Sequence, residues 1–168
     1  MTINAPIHNP SWNVGFLIGD ASRLLRRIFN ERVTHLGLTQ AQWRALVHLS
    51  RNEGLNQVSL ADLLDVQPIT VARLIDKLVN ADLVERRPDP NDRRAQRLFL
   101  TPKAQPVLDQ IWEVADEAYG VILQGLSDAD RDMLIGLLTR VRTNIDLLVP
   151  GGTPARGTFA PPNSKRKK

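Results

Sequence analysis

Apolar residues recur at three- and four-residue intervals along most of this chain, and the pattern changes only between Leu83 and Leu100. A period near 3.6 residues places apolar side chains on one face of an α-helix, whereas alternation places them on one face of a strand. The pattern predicts four helices before the break and two long helices after it. Within the break, two alternating segments flank the turn formers of residues 88–92, which predicts a β-hairpin.

Local signals indicate where the first predicted helices begin. The first helix starts near Ser11 and is stopped by Gly37. Thr39 and Gln42 have the spacing of a capping box, in which each side chain bonds to the other's amide, and this box opens the second helix. Polar residues 51–57 are predicted to form a loop, after which Ser59 is expected to cap a short third helix.

Prolines mark the later helix starts. Pro68 has the favoured first position of the fourth helix, which is predicted to run to about Asp82. Thr101 and Pro102 precede the fifth helix, but Pro106 has no amide to donate, so regular helix is expected only from near Pro106. The last helix is predicted to start around residues 127–130.

A short helix, a tight turn, a second helix and a hairpin together define a winged helix-turn-helix. The predicted fold class is mainly α with a small β-hairpin wing, in which N- and C-terminal helices accompany the winged helix-turn-helix domain. The expected parts are a flexible N-terminus (1–10), the domain (11–149) with flanking helices at about 11–36 and 102–149 and a central lobe at about 39–101, and a disordered basic tail (150–168).

Composition excludes several classes of function. The chain has no cysteine, which excludes disulfides and thiol-based sensing. Its three histidines are far apart and no carboxylate pair, Gly-rich phosphate loop or nucleophile motif is visible, so neither a metal site, a cofactor nor an enzyme is expected. No apolar run reaches the ~18 residues of a membrane span and no signal peptide is visible, which favours a cytoplasmic protein with no membrane partner.

Charge is distributed unevenly along the chain. Residues 67–103 contain eight cations and five acids, whereas residues 104–150 contain three cations and eight acids. A basic middle beside an acidic C-terminal half indicates one face suited to a polyanion and another that avoids it.

The fourth helix is the candidate recognition helix, because its apolar stripe leaves a polar face for the major groove. Arg73 is the best candidate for base reading, since a guanidinium matches the two acceptors of guanine. An ordinary solvated helix face remains the alternative. The DNA-contacting residues predicted in the helix-turn-helix are Ser59, Gln67, Pro68, Thr70, Arg73 and Lys77.

The hairpin strengthens the prediction of DNA binding. Its tip carries several arginines, and guanidinium groups are attracted to the negative potential of the minor groove. Asp92 is expected to position Arg94 rather than to touch DNA, and a solvated turn is the alternative. The wing residues included in the predicted interface are Arg86, Arg87, Asp92, Arg93 and Arg94.

Residues 92–101, DRRAQRLFLT, match the wing pattern D-x-R-x5-L-T, which is typical of the MarR/SlyA family of regulators. Four other segments resemble this family in the same order, namely 37–43, 60–64, 70–78 and 83–86. The resemblance covers about residues 11–149. Asp65 and Asp82 depart from the glycines usual at these turns, and residues 104–106 depart from the usual Lys-Gly. Asp tolerates the left-handed conformation better than most residues, so the fold is expected to survive.

The resemblance implies a homodimer, in which the flanking helices at about 11–36 and 102–149 are dimerisation helices and the lobe at about 39–101 is the DNA-binding lobe. It also implies that this dimer binds a double-stranded DNA operator, with repression as the simplest outcome and localisation on the nucleoid when bound. It also implies a possible small aromatic effector, whose identity and contacts are unknown; Trp12, Trp43, Trp112 and Tyr119 either line its crevice or, as we favour, pack in the core. The alternative function is a winged-helix protein-interaction module. The predicted dimerisation residues are Val14, Leu17, Ile18, Trp112, Leu134, Leu138, Val141 and Ile145.

Overall fold

The computed structural model describes residues 12–92 and 95–148, and of Trp12 only the backbone. Within those residues the chain forms six α-helices and one three-stranded antiparallel sheet, which confirms the predicted fold class. The helices are α1 (Trp12–Arg32), α2 (Gln40–Arg51), α3 (Gln57–Leu64), α4 (Pro68–Asn80), α5 (Ala104–Ile122) and α6 (Asp128–Leu148), with a 3-10 turn at Thr34–Leu36; the strands are β1 (Leu55–Asn56), β2 (Val84–Pro88) and β3 (Gln96–Leu100).

The sheet has one strand more than the sequence predicted. Strand order is β1-β3-β2, with Leu55 opposite Leu98 and Val84 opposite Leu100. The prediction of a loop over 51–57 is confirmed for residues 52–54 and wrong for residues 55–57, where β1 and the start of α3 lie. β1 is only two residues long, too short for alternation to be visible, and it depends on pairing with a strand about forty residues further along the chain.

The start of α3 also differs from the prediction. The side chain of Asn56, not of Ser59, caps this helix, because its Oδ1 accepts from the Ser59 amide at 2.8 Å. Ser59 is the third residue of the helix. Asn and Ser are equally good N-caps, so composition alone could not choose between them.

Pro106 does not delay α5, contrary to the prediction. The helix starts at Ala104, which makes Pro106 its third residue. The first four amides of a helix have no intrahelical acceptor, so a proline there removes no hydrogen bond.

Other local predictions are confirmed. Thr39 and Gln42 form the reciprocal capping box, and Pro68 is the first residue of α4. Asp65 and Asp82 both adopt left-handed backbone, with φ of 58° and 59°. These two turns connect α3 to α4 and α4 to β2, so they set the direction in which α4 and the wing leave the lobe.

One hydrophobic core holds the lobe together and orients α4. The inner stripe of α4 is buried against α2, α3 and the sheet, with Ile75 and Leu78 fully inaccessible. α5 joins the same core through Leu108 and Ile111. The other buried members are Ala45, Leu46, Leu49, Leu60, Ala61, Leu64, Val71, Leu74, Leu83, Val84, Leu98 and Ala104.

In contrast, α6 buries none of its residues, and much of α1 is also uncovered. Leu147 and Phe16 are more than three-quarters exposed. Exposed apolar patches of this extent are unusual on a monomer and indicate surfaces that another molecule covers.

We predict that the left-handed turn at Asp65 favours glycine over alanine. A Cβ in this conformation costs about 1 kcal/mol or more, so Asp65→Gly should be more stable than Asp65→Ala by about 1 kcal/mol in urea unfolding. Asp62, inside α3, is the matched control, where the helical backbone should reverse the order by a similar amount. The same order at both positions would contradict the turn geometry.

Candidate nucleic-acid interface

The outer face of α4 is polar and open to solvent. Gln67, Pro68, Thr70, Arg73 and Lys77, all predicted to contact DNA, are exposed there. They lie opposite the buried stripe because a helix with 3.6 residues per turn separates its two faces. Ser59 belongs to α3 and is half-buried, so it is not part of the outer face of α4.

Arg73 and Lys77 form no ion pair with any described residue. Asp76 stands between them in the sequence, but its Oδ1 is 2.6 Å from Nη2 of Arg86 in β2. The acid of α4 is therefore directed to the wing, and the two cations keep their full charge toward solvent.

Arg86 and Arg87 are engaged within the protein. Arg86 is held by Asp76 and its side chain is only 26% exposed. Arg87 pairs with Glu85, and its Cζ lies 4.2 Å from the centroid of the Phe99 ring. The expected DNA contacts of both residues stay predictions, but the structure shows them bracing the wing.

A second ion pair closes the hairpin. Nε of Arg97 donates to Oδ2 of Asp89 at 2.7 Å, and the Asp89 amide donates to the carbonyl of Ala95. The hydrogen bond from Arg97, with one from the Asn91 amide, lowers the pKa of Asp89. Sequence reasoning named Asp92 and Arg94 instead; Arg93 and Arg94 lie outside the described residues, and so does their predicted role.

The N-terminus of α4 has few amides free to bind a phosphate. Pro68 has no amide, and the Thr70 amide already donates to the Gln67 carbonyl at 2.9 Å. Ile69, between Pro68 and Thr70, was not among the predicted contacts. It is an exposed apolar residue that does not belong to the buried stripe of α4.

The predicted dimerisation residues fall into two groups. Those in α1 and α6 lie on uncovered surface, apart from Val141, which is half-buried. Trp112 behaves differently, because it packs against the core of its own protomer. The uncovered members are Val14, Leu17, Ile18, Leu134, Leu138 and Ile145.

An aromatic cluster joins α1, α2 and α5. The ring of Phe29 lies 5.9 Å from that of Trp43 and 5.5 Å from that of Tyr119, and Arg51 stacks 5.2 Å from the Trp112 ring. Trp43, Trp112 and Tyr119 pack against buried residues, which is the arrangement favoured from the sequence. The side chain of Trp12 lies outside the described part of the chain. The indole Nε1 atoms of Trp43 and Trp112 are buried without a hydrogen-bond partner among the described residues.

Two of the three histidines, His35 and His48, lie within the described residues. Among the described residues no three His, Asp or Glu side chains are grouped so as to hold a metal ion, and His8 lies outside them. His35 is exposed, with Nδ1 2.8 Å from the Arg32 carbonyl. His48 is half-buried in α2, where desolvation, helped by Arg44 and Arg51, lowers its pKa to about 4.

The depressed pKa of His48 predicts a loss of stability in mild acid. Between the ordinary pKa of 6.5 and about 4, the unfolded chain binds a proton that the folded chain does not. The free energy of unfolding should therefore fall as pH decreases through this window, with a slope below ~1.4 kcal/mol per pH unit. His48→Gln should flatten that slope in urea unfolding at several pH values. His35→Gln is the control, and an equal flattening there would refute the assignment.

Comparisons with known proteins agree with this geometry. The MarR family profile matches residues 38–95, which run from the start of α2 through β2 and end just before β3. The HTH-type transcriptional regulator YybA of Bacillus subtilis (strain 168) is 32% identical over 129 residues, covering 77% of this chain and 86% of YybA. The chain therefore belongs to the MarR family of transcription regulators.

Solved structures show the same fold. The transcriptional regulator PA3341 superimposes with a TM-score of 0.71 at 34% identity, covering 80% of this chain and 98% of PA3341. The regulator SlyA gives a TM-score of 0.67 at 30% identity, with 80% and 94% coverage. A MarR protein from Peptoclostridium difficile gives 0.71 at 25% identity, with 88% and 94% coverage.

None of the helices in the described ranges has the length and apolar character needed to cross a membrane.

Proposed function

We propose that this chain is a homodimeric, sequence-specific DNA-binding regulator that acts most simply as a repressor. The observation that carries the proposal is the outer face of α4, where Arg73 and Lys77 are exposed and free of ion pairs with the described residues. A helix of this kind enters the major groove, and the adjoining wing reaches the minor groove beside it. Blocking polymerase at a promoter is then sufficient for repression, by a protein that works in the cytoplasm on the nucleoid.

The uncovered apolar faces of α1 and α6 support a homodimer. They carry most of the large apolar side chains that the described protomer exposes. Residues 104–150 are acidic, which keeps this end away from DNA. A two-fold dimer presents two copies of α4, so its operator is pseudo-palindromic, with half-sites about one helical turn (~34 Å) apart.

The aromatic cluster supports a response to a small effector. It lies where the α1 and α5 helices meet the DNA-binding lobe. The indole N–H groups of Trp43 and Trp112 have no acceptor among the described residues, so they are available to donate to an acceptor on an aromatic ligand. Such a ligand changes DNA affinity only if it binds one spacing of the two α4 helices better than another.

The first test is a gel shift with DNA from the intergenic region upstream of the gene that encodes this protein. Binding is measured against random competitor DNA and at two salt concentrations. We expect a discrete complex that survives the competitor and weakens steeply with salt, because phosphate neutralisation releases counterions. A protein-interaction module would give no competitor-resistant complex, and its partner binding would lack the steep linear dependence of log affinity on log salt.

Arg73 and Lys77 should differ in kind. Arg73→Ala is expected to lower affinity for the specific site by roughly 10-fold or more while leaving random DNA less affected, since a bidentate guanine contact contributes ~1–3 kcal/mol of discrimination. Lys77→Ala should weaken both DNAs alike, as expected for a phosphate contact. Anisotropy titrations measure both constants. Equal losses on both DNAs for Arg73→Ala would remove its base-reading role.

The dimer is tested on α6. Leu138→Glu places a carboxylate on the uncovered apolar face and should shift the mass measured by light scattering from about twice 18.8 kDa toward 18.8 kDa. Thr143→Glu, on the opposite side of α6, should leave the mass unchanged. A wild-type protein that stays monomeric at micromolar concentration would contradict the dimer.

A further inference from the structure

Ile69 is a large apolar side chain on an otherwise polar surface. It is the second residue of α4 and is 66% exposed, whereas the apolar residues of the inner stripe are buried. A β-branched side chain left in water at this position gains nothing from the fold of the protomer.

The surroundings of Ile69 are those of the proposed DNA-binding face. Ile69 and Arg73 are four residues apart, so they are neighbours on the same side of the helix. Together with Thr70 and Lys77 they line a shallow groove of about 300 Å³. The rest of its lining comes from the start of α2 and the inner side of α4, namely Thr39, Ala41, Gln42 and Leu74. The aliphatic tip of Ile69 therefore lies beside two cations and hydroxyl groups.

The uncovered dimer faces do not account for this exposure. Those faces belong to α1 and α6, while α4 packs mainly against α2, α3 and β2. The charge of the neighbouring Arg73 and Lys77 fits an anionic occupant rather than an apolar protein surface.

We propose that Ile69 is a specificity-determining residue that recognises the 5-methyl group of a thymine in the major groove. This inference rests on the proposed function. Among the base edges of the major groove only thymine presents a methyl group, and the N-terminal residues of a recognition helix are those that reach base edges. Ile69 supplies the apolar contact that Arg73 and Thr70 cannot make.

The spacing of the two residues predicts where that thymine lies. Four residues of helix rise about 6 Å, and base pairs are stacked 3.4 Å apart. A helix that follows the groove therefore places the thymine read by Ile69 within about two base pairs of the guanine read by Arg73.

The test begins with the full-length dimer and a random double-stranded DNA library, from which a preferred site is selected. Each thymine of that site is then replaced by deoxyuridine, which removes only the methyl group, and the dissociation constants are measured by anisotropy. We expect one symmetry-related thymine per half-site whose replacement weakens wild-type binding by about fourfold, the size expected for one buried methyl group.

Three variants locate the contact. Ile69→Ala should bind the thymine and deoxyuridine sites equally, and Ile69→Val should retain most of the difference. Val58→Ala, which shortens an exposed aliphatic residue of α3, should keep the full difference. Thermal unfolding should be unchanged in all three, because neither residue is buried.

Each contrary outcome is distinct. Failure to select any site would overturn the proposed function together with this inference. A selected site at which the wild type ignores every deoxyuridine replacement would overturn the role of Ile69 alone. A thymine preference that persists undiminished in Ile69→Ala would do so too, since another group would then be reading the methyl.

Discussion

The surface proposed to face DNA depends on the burial of the inner stripe of α4. Val71, Leu74, Ile75 and Leu78 pack against α2, α3 and the sheet, and this packing fixes the rotation of the helix about its axis. Because side-chain directions in a helix are tied to one another, burying this stripe forces the residues on the opposite side outward. The exposure of Arg73 is thus a consequence of core packing. A change that rotated α4 by one residue, about 100°, would turn Arg73 and its neighbours away from the outer face without altering any of these residues.

Ion pairs then divide the cations of the lobe into two kinds. Arg86 and Arg97 are held by Asp76 and Asp89, which link the wing to α4 and close the hairpin. Exposed pairs of this kind contribute little to stability, typically up to ~1 kcal/mol. Their effect here is geometric: they brace the wing against α4, and they leave Arg73 without an ion pair among the described residues. The net charge of the chain before residue 151 is small, so net charge alone says little about DNA binding. The concentration of cations in residues 67–103 is more informative.

Structural features that depend on residues close together in the chain could be predicted from the sequence. The helix periods, the capping box at Thr39 and the left-handed turn at Asp65 involve residues within four positions of one another, and all were predicted. Strand β1 was missed because it exists only through pairing with β3. The partner of Asp76 was missed because several arginines lie within reach and only the folded wing selects Arg86. Ile69 escaped notice since an apolar residue beside a proline looks like core until the rotation of α4 is known.

Chemical footprinting of the bound dimer tests the central claim most directly, namely that two copies of α4 occupy successive major grooves. Dimethyl sulfate probes guanine N7 in the major groove and adenine N3 in the minor groove on the same molecule. If two copies of α4 occupy successive major grooves, two patches of guanine N7 about one helical turn apart should be protected. Protected adenine N3 should flank these patches where the wings lie. Protection confined to one patch, or found in the minor groove alone, would contradict it.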